Sequence, residues 1–317
     1  MTQEMTILTF YEVDKATREQ LEAIYPRLRI YHTPRVKDME PWIEEADIVM
    51  SLNFSDELLE RAHKLRWLQA VGAGINHLLT PDFIKSDVVL TNAKGNHTVS
   101  VSEHAFALLL ALSRHIYRCY GEDNVLLRWE REPAGELYDK TMGVLGLGNI
   151  GREIVRKAKA FGMKVRGYDV VPVFVPYLDE LYLSDQIEEF FSGLDVIVVA
   201  AALTSASRGM VNRHLISLMN EGSYLVNVAR GPLVVEEDLI DALKNGPLAA
   251  AGLDVFEVEP LPMDNELRRL SNVVLTPHIA GLNPRYEERI FRLFVENFKR
   301  WMNEEPLVNF VDKQVAS

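Results

Sequence analysis

The sequence predicts an α/β protein made of two doubly wound parallel sheets. Three observations carry that expectation. Short apolar, β-branched runs recur along the chain with helical stretches between them, the alternation of parallel sheets covered on both faces. The runs fall into two series on either side of a long stretch, 99–120, rich in Ala, Leu and Phe. The chain's 317 residues are enough for two ordinary domains.

Taken in order, the first series places strands at MTILTF (5–10), DIVMSL (47–52), RWLQAV (66–71) and DVVLT (87–91), with an amphipathic helix over Asp56–His63. The stretch from Val99 to Tyr120 reads as one long helix, apolar around much of its circumference and therefore buried between domains or between subunits. The second series places strands at TMGVLGL (141–147), KVRGYD (164–169), DVIVVA (195–200), SYLVNVA (223–229), AAAGLDV (249–255) and NVVLT (272–276). After Pro284, Ile290, Phe294, Phe298 and Trp301 recur at roughly helical spacing and predict a helix over Tyr286–Met302.

Composition excludes several classes. With 48% hydrophobic and 25% charged residues, the chain can build a core and is not a disordered segment. A net charge of −12 without any Lys/Arg block argues against nucleic acid and anionic membrane surfaces. An anionic substrate would need local positive groups. Cys119 is the one cysteine and no Cys/His cluster has metal spacing, so neither a disulfide nor a metal is expected. The longest apolar stretch, near Ala105–Leu112, falls far short of the ~20 residues of a spanning helix. The opening MTQEMTILTF lacks the pattern of a secretory signal, and the expected address is cytoplasmic.

Residues Gly146–Gly151 read GLGNIG, a G-x-G-x-x-G pattern that follows a strand and opens the helix NIGREIVRKAKAF. That context gives the pattern its force. Gly146 permits a tight turn, Gly148 lets a pyrophosphate approach the backbone, and Gly151 lets helix and strand pack closely. The helix N-terminus offers free N–H groups to the phosphates. Asp169 ends the next strand, where a carboxylate accepts the hydroxyls of a ribose. Val170, Val171 and Pro172 follow it, with no Arg or Lys for a 2′-phosphate, so NAD(H) is expected in preference to NADP(H).

Three segments stand at later strand ends, where open α/β sheets present their crevice: NVARGPLVVEEDLIDAL (227–243), GLDVFEVEPLP (252–262) and LTPHIAGLNP (275–284). They offer one arginine, several carboxylates and one histidine, the set that a 2-hydroxy acid needs. A guanidinium holds the substrate carboxylate with paired hydrogen bonds. An imidazole takes or returns the hydroxyl proton while hydride moves, and a carboxylate beside it fixes its tautomer.

On these motifs the chain resembles the D-isomer-specific 2-hydroxyacid dehydrogenase family, which includes glyoxylate/hydroxypyruvate reductases and phosphoglycerate dehydrogenases. The similarity runs from LRWLQAVGAGINHL to TPHIAGLNPR, and four motifs in order are far more specific than the glycine pattern alone. The resemblance implies that Arg230 binds substrate, that Glu259 rather than Glu257 partners the imidazole, and that His278 is the acid/base. It implies substrate contacts from the amides of Ala73 and Gly74, and cofactor contacts from Gly146, Gly148, Asn149, Ile150, Gly151, Asp169, Val228, Ala229, Arg230, Asp254, His278 and Gly281. It also implies a Rossmann NAD-binding domain, 99–282, inserted into a flavodoxin-like substrate domain, 1–98 plus 283–317. Hinges would lie near Val99 and Leu282, closure would bring Ala73 and Gly74 toward Arg230 and His278, and the chain would form a homodimer. Expected substrates are glyoxylate, hydroxypyruvate or 3-phosphoglycerate.

Some residues depart from that pattern or have blander readings. Ala200 and Ala202 stand where relatives often carry His and Pro, and Lys94 where they carry Pro. Packing or interface roles suffice for His104 and His115, and solvation for His32, His63, His77 and His214. His97, Trp129, Leu52–Ser55 and Leu282–Tyr286 are candidates for the substrate side-chain pocket, and Trp129 either covers a partner's cleft or packs down. The competing function is an NAD-sensing scaffold akin to co-repressors on the same fold.

Overall fold

The computed structural model describes residues 4–119, 129 and 133–314. The chain divides into two compact units, Met1–His97 with Asn283–Ser317, and Thr98–Leu282. The sequence expectation set the first crossover one residue later.

In the first unit, β1 (Met5–Thr9), β2 (Leu28–His32), β3 (Ile48–Ser51), β4 (Trp67–Ala70) and β5 (Val89–Thr91) form a parallel sheet in the order β2-β1-β3-β4-β5. This is the flavodoxin-like order, with its switch point between β1 and β3. Every residue of β1, β3 and β4 is buried, as their apolar sequences require of strands covered on both faces. The edge strand β2 (LRIYH) is partly exposed throughout and carries no apolar run, which is why the sequence reading passed over it. Helices α1 (Lys15–Ile24), α2 (Val36–Met39), α3 (Asp56–Arg61) and α4 (Pro81–Lys85) connect the strands. Asp14 caps α1 through the Thr17 amide and hydroxyl, and these bonds hold its carboxyl below the usual carboxylate range.

In the second unit, β6 (Thr141–Leu145), β7 (Lys164–Tyr168), β8 (Glu180–Tyr182), β9 (Val196–Val199), β10 (Ser223–Asn227), β11 (Leu248–Leu253) and β12 (Val273–Leu275) pair in the order β12-β11-β10-β9-β6-β7-β8. All the pairings are parallel. Read from β8, the first six strands follow the 3-2-1-4-5-6 order of a dinucleotide-binding sheet, whose switch point lies between β6 and β9. Helices α5 (Thr98–Ser113) and α6 (Asn149–Ala160) pack into one core layer, and α7 (Ile187–Phe191), α8 (Arg213–Ser217) and α9 (Glu236–Asn245) into the other.

The long helix expected over 99–120 ends at Ser113. His115 takes a left-handed backbone (φ 56°) and a short 3-10 turn, Ile116–Cys119, follows; Tyr120 lies outside the described residues. The apolar face of α5 is covered within its own unit, where Val101, Ala105, Phe106, Leu108, Leu109 and Leu112 are buried. Gly252 on β11 permits the approach: a Cβ there would lie 2.9 Å from the Leu108 Cβ. No subunit interface is needed to explain that face.

Beside it, Lys157 of α6 donates to Ser102 Oγ on α5 (2.6 Å) and to Glu153 (3.0 Å), while Arg156 forms paired bonds with Glu153. The Arg156 bonds foremost hold the Glu153 carboxyl down at about 2. A depressed carboxylate adds stability that is complete above the unfolded value near 4.5 and is lost as pH falls through about 2. Glu153→Gln is expected to be less stable than the parent at pH 7. Urea titrations from pH 7 downward should show the gap closing only below about pH 4.5; a pH-independent gap would exclude the ion cluster as its source.

The chain then returns to the first unit through α10 (Tyr286–Met302). The predicted spacing is realised there: Ile290, Phe294 and Phe298 are fully buried, and Trp67 stacks on Phe294 and Trp301. A buried polar chain reinforces the contact. Trp67 Nε1 donates to Thr91 Oγ1, Thr91 donates to Gln69 Oε1, and Asn297 Nδ2 reaches Gln69 Oε1 and the Val308 carbonyl. Beyond it, Lys313 donates to the carbonyls of Phe83, Ser86 and Val88 at the end of α4. Phe294→Ala should destabilise this unit by about 3–5 kcal/mol, read as a lower urea midpoint for its transition. A loss under 1 kcal/mol would mean that α10 is not integral to the core.

Candidate active site

The ends of β10, β11 and β12 converge on a small set of polar groups. At the last position of β10, Asn227, 1% exposed, accepts the Ala229 amide on Oδ1 and donates Nδ2 to the Arg230 carbonyl, each at 3.0 Å. This staple turns the chain so that the Arg230 side chain is exposed, its guanidinium donating to the Ala229 carbonyl. Gly231 follows, and a Cβ there would fall 1.9 Å from the Phe256 carbonyl carbon. Only glycine lets the loop after β10 lie against the loop after β11.

Asp254, at the end of β11, is 1% exposed. A carboxylate so placed must be satisfied by donors. Its Oδ1 accepts from the Thr276 hydroxyl (2.6 Å) and the Ile279 amide (2.9 Å), and its Oδ2 from the Ala280 amide (2.9 Å). The amide of His278 donates to the carbonyls of Asp254 and Thr276. These bonds hold His278 in the left-handed region at φ 53°, which costs a residue with a side chain roughly 1–2 kcal/mol. Asp254, expected among the cofactor contacts, is placed here as the anchor of the histidine loop.

His278 Nδ1 lies 2.7 Å from Glu259 Oε2, and Glu259 Oε1 accepts the Phe256 amide at 3.0 Å. The peptide bond from Glu259 to Pro260 is cis. Glu257 turns to Arg208 instead (3.4 Å), so of the two acids in this segment Glu259 is the one beside the imidazole. With Nδ1–H given to a carboxylate, the exchangeable ring nitrogen is Nε2. The His278 side chain is half exposed, within reach of a small molecule.

The glycine loop after β6 is built for a dinucleotide. Gly146 has φ 94°, and a Cβ there would lie 2.5 Å from Ala201 Cα at the end of β9. A Cβ on Gly151 would lie 1.9 Å from the Gly146 carbonyl oxygen. Gly148, the N-cap of α6, faces open space where a Cβ would meet nothing within 4 Å. A phosphate fits that opening, with Asn149 and Ile150 presenting the first turn of the helix. Asp169 is held at the end of β7, accepting Leu147 N on Oδ2 and Val170 N on Oδ1, both at 2.8 Å. The residues present therefore fit a nicotinamide dinucleotide. Val228 is buried and Ala229 partly so, between β10 and Arg230; Gly281 follows the Asp254-anchored amides. Among the described residues, no group of His, Cys, Asp or Glu could hold a metal, and no helix is long and apolar enough to cross a membrane.

In the first unit, Ala73 and Gly74 lie in the loop after β4. There Asn92 Nδ2 donates to the Ala73 carbonyl and the Ala93 amide to that of Gly72. His97 stacks on Tyr286 with ring centroids 4.6 Å apart, and Tyr11 meets Tyr286 edge-on at 6.2 Å. Sequence reading missed Asn227 and gave His104 only a packing or interface role; a buried hydrogen-bonding partner leaves no periodic trace. His77, expected to be solvated, is exposed but binds the Leu52 carbonyl at 2.8 Å. Lys94 is exposed. Trp129 is 77% exposed among the described residues; residues 120–128 and 130–132 around it lie outside them.

Comparison with known proteins agrees with this geometry. Residues 106–280 match the family described as D-isomer specific 2-hydroxyacid dehydrogenase, NAD binding domain. A D-3-phosphoglycerate dehydrogenase of Methanocaldococcus jannaschii is 34% identical over 85% of this chain, which spans about half (52%) of that relative's length. A hydroxypyruvate reductase of Blautia hydrogenotrophica is 33% identical over 90% of this chain and 91% of its own. Among solved structures, a D-isomer specific 2-hydroxyacid dehydrogenase from Xanthobacter autotrophicus, in complex with NADPH and MES, superposes with a TM-score of 0.85 at 27% identity, covering 100% of both chains. The chain belongs to the D-isomer specific 2-hydroxyacid dehydrogenase family.

Proposed function

We propose that the protein is an NAD-dependent D-2-hydroxyacid dehydrogenase that works as a reductase of small 2-oxo acids such as glyoxylate or hydroxypyruvate. 3-Phosphoglycerate belongs on the same substrate panel. The observation that carries this reading is the His278–Glu259 pair at 2.7 Å, set at the same carboxyl end of the sheet as Arg230. Held by the Gly146–Gly151 loop and Asp169, a bound nicotinamide dinucleotide would supply the hydride in reduction and receive it in oxidation. Arg230 binds the substrate carboxylate through paired N–H donors and draws charge from the neighbouring carbonyl oxygen. His278 Nε2 gives that oxygen its proton in reduction and takes the hydroxyl proton in oxidation. Glu259 keeps the ring's Nδ1–H directed away from substrate and offsets the positive charge the imidazole carries. A homodimer belongs to the same reading and is checked by sedimentation.

The test is NADH oxidation at 340 nm against glyoxylate, hydroxypyruvate, pyruvate and phenylpyruvate, with oxidation of 3-phosphoglycerate by NAD followed in reverse. Turnover of one of them is the expected outcome. Tight NADH binding without turnover of any would favour the sensing scaffold. His278→Ala should lower kcat about 10²–10⁴-fold while leaving NADH affinity nearly intact. Loss of NADH binding as well would make His278 structural.

The NAD preference rests on Asp169. Its carboxylate is fixed by the Leu147 and Val170 amides, and Val170, Val171 and Pro172 offer no cation to a 2′-phosphate. The Xanthobacter relative is in complex with NADPH, so the preference proposed here rests on the end of β7 in this chain and not on the fold. Asp169→Ala should shrink the NADH over NADPH ratio of kcat/KM by roughly 10–100-fold, the worth of one or two hydrogen bonds to a charged acceptor. An unchanged ratio would remove Asp169 from the ribose.

A further inference from the structure

We infer that His104 is a positioning residue for His278, acting through Thr276 and Asp254. The inference rests on the acid/base reading of His278 given above. His104 lies on α5, and its side chain is only 18% exposed. Its Nε2 lies 2.9 Å from Thr276 Oγ1 and 3.4 Å from Asp254 Oδ1, while Thr276 Oγ1 lies 2.6 Å from the same Asp254 oxygen. A hydroxyl has one proton, and an ionised carboxylate only accepts. Thr276 therefore donates to Asp254 and must accept from His104, which places a proton on His104 Nε2. The chain of donors runs His104 Nε2–H to Thr276 Oγ–H to Asp254 Oδ1.

That carboxylate also receives the amides of Ile279 and Ala280, and the backbone carbonyls of Asp254 and Thr276 receive the amide of His278. The two residues that follow His278 are thus tied to the carboxylate that His104 and Thr276 face, Ile279 to the same oxygen and Ala280 to the other. A bond accepted by the Thr276 hydroxyl strengthens the one it donates. Without His104, a mostly buried hydroxyl loses its donor and the carboxylate loses a nearby N–H, so the strained turn is free to relax. Helix α5 does not depend on this side chain, since Ala105, Leu108, Leu109 and Leu112 hold it in the core.

The experiment compares His104→Leu with His104→Gln in the full chain, with His278→Ala run in parallel. NADH is the reductant and hydroxypyruvate the first oxo acid offered. Glutamine can place an amide N–H close to where His104 holds Nε2–H; leucine offers no donor. His104→Leu should lower kcat roughly ten- to hundredfold, as small misplacements of a reacting group do, with NADH affinity unchanged within about twofold. His104→Gln should recover most of that loss. Hydrogen exchange read by NMR should show the Ile279 and Ala280 amides less protected in the leucine variant and protected again in the glutamine variant. If the leucine variant fails to fold, His104→Asn, whose amide ends short of Thr276, replaces it in the comparison.

Unchanged kcat and unchanged protection in the donor-less variant would overturn the inference, as would equal impairment of both variants. Should His278→Ala lower kcat by about a hundredfold or more while His104→Leu leaves it intact, this inference alone fails. Should His278→Ala keep kcat within about tenfold of the parent, the acid/base reading fails, and the inference with it.

Discussion

The geometry of the candidate site depends on one buried carboxylate. Asp254 is 1% exposed yet accepts a hydroxyl and two amides, so its burial is offset by bonds to the loop that carries His278. Remove that acceptor and two backbone N–H groups lose their partner, while His278 has no reason to stay at φ 53°. The residue does more than end a strand. Its own amide donates to the Asn227 carbonyl, and Asn227 staples the Arg230 turn on the neighbouring strand. The loops bearing Arg230 and His278 are therefore fixed to each other through the ends of β10 and β11, by side chains that need touch no substrate.

Close approach of backbone does the rest. Gly231 lets the Arg230 loop lie against the segment that carries Glu259, and Gly146 and Gly151 let the first βα turn fold against β9 and its own helix. At each of these three positions a single added carbon would sit inside a neighbouring atom. Gly148 is different, because its space is open. The fingerprint thus divides into two glycines that the fold requires and one whose absent side chain leaves room for a phosphate.

Much of this was legible in the sequence because it is periodic or punctuated. The buried strands β1, β3, β4 and β9 are predominantly apolar, α10 repeats its rings at helical spacing, and the glycine loop sits between a strand and a helix. The edge strands β2 and β8 were not legible: they are short and partly exposed and carry no apolar run. The end of α5 was misjudged because nothing in its pattern announces the left-handed His115. Arg230 and His278 could be chosen from the chemistry a 2-hydroxy acid demands. The roles of Asn227, His104 and Thr276 could not, because a buried polar side chain is defined by partners far away in sequence. Glu259 was separated from Glu257 only by family resemblance; the structure supplies the physical reason, a carboxylate folded back onto the Phe256 amide.

That division of the two acids bears on how a chain of net charge −12 can hold an anion. Exposed charges are screened beyond about 8–10 Å at physiological ionic strength, so the local arrangement decides. The Arg230 loop lies against the segment that carries both Glu257 and Glu259, since a Cβ on Gly231 would come within 2.5 Å of the Glu257 amide. Either carboxylate in contact with Arg230 would compete with substrate for its guanidinium. Neither does: Glu257 is bonded to Arg208, and Glu259 is taken up by His278 and a backbone amide. The bond between Glu259 and His278 is thus also one of the two that keep these acids off Arg230, and under the proposed function the acid/base and the anion site would be a single electrostatic arrangement.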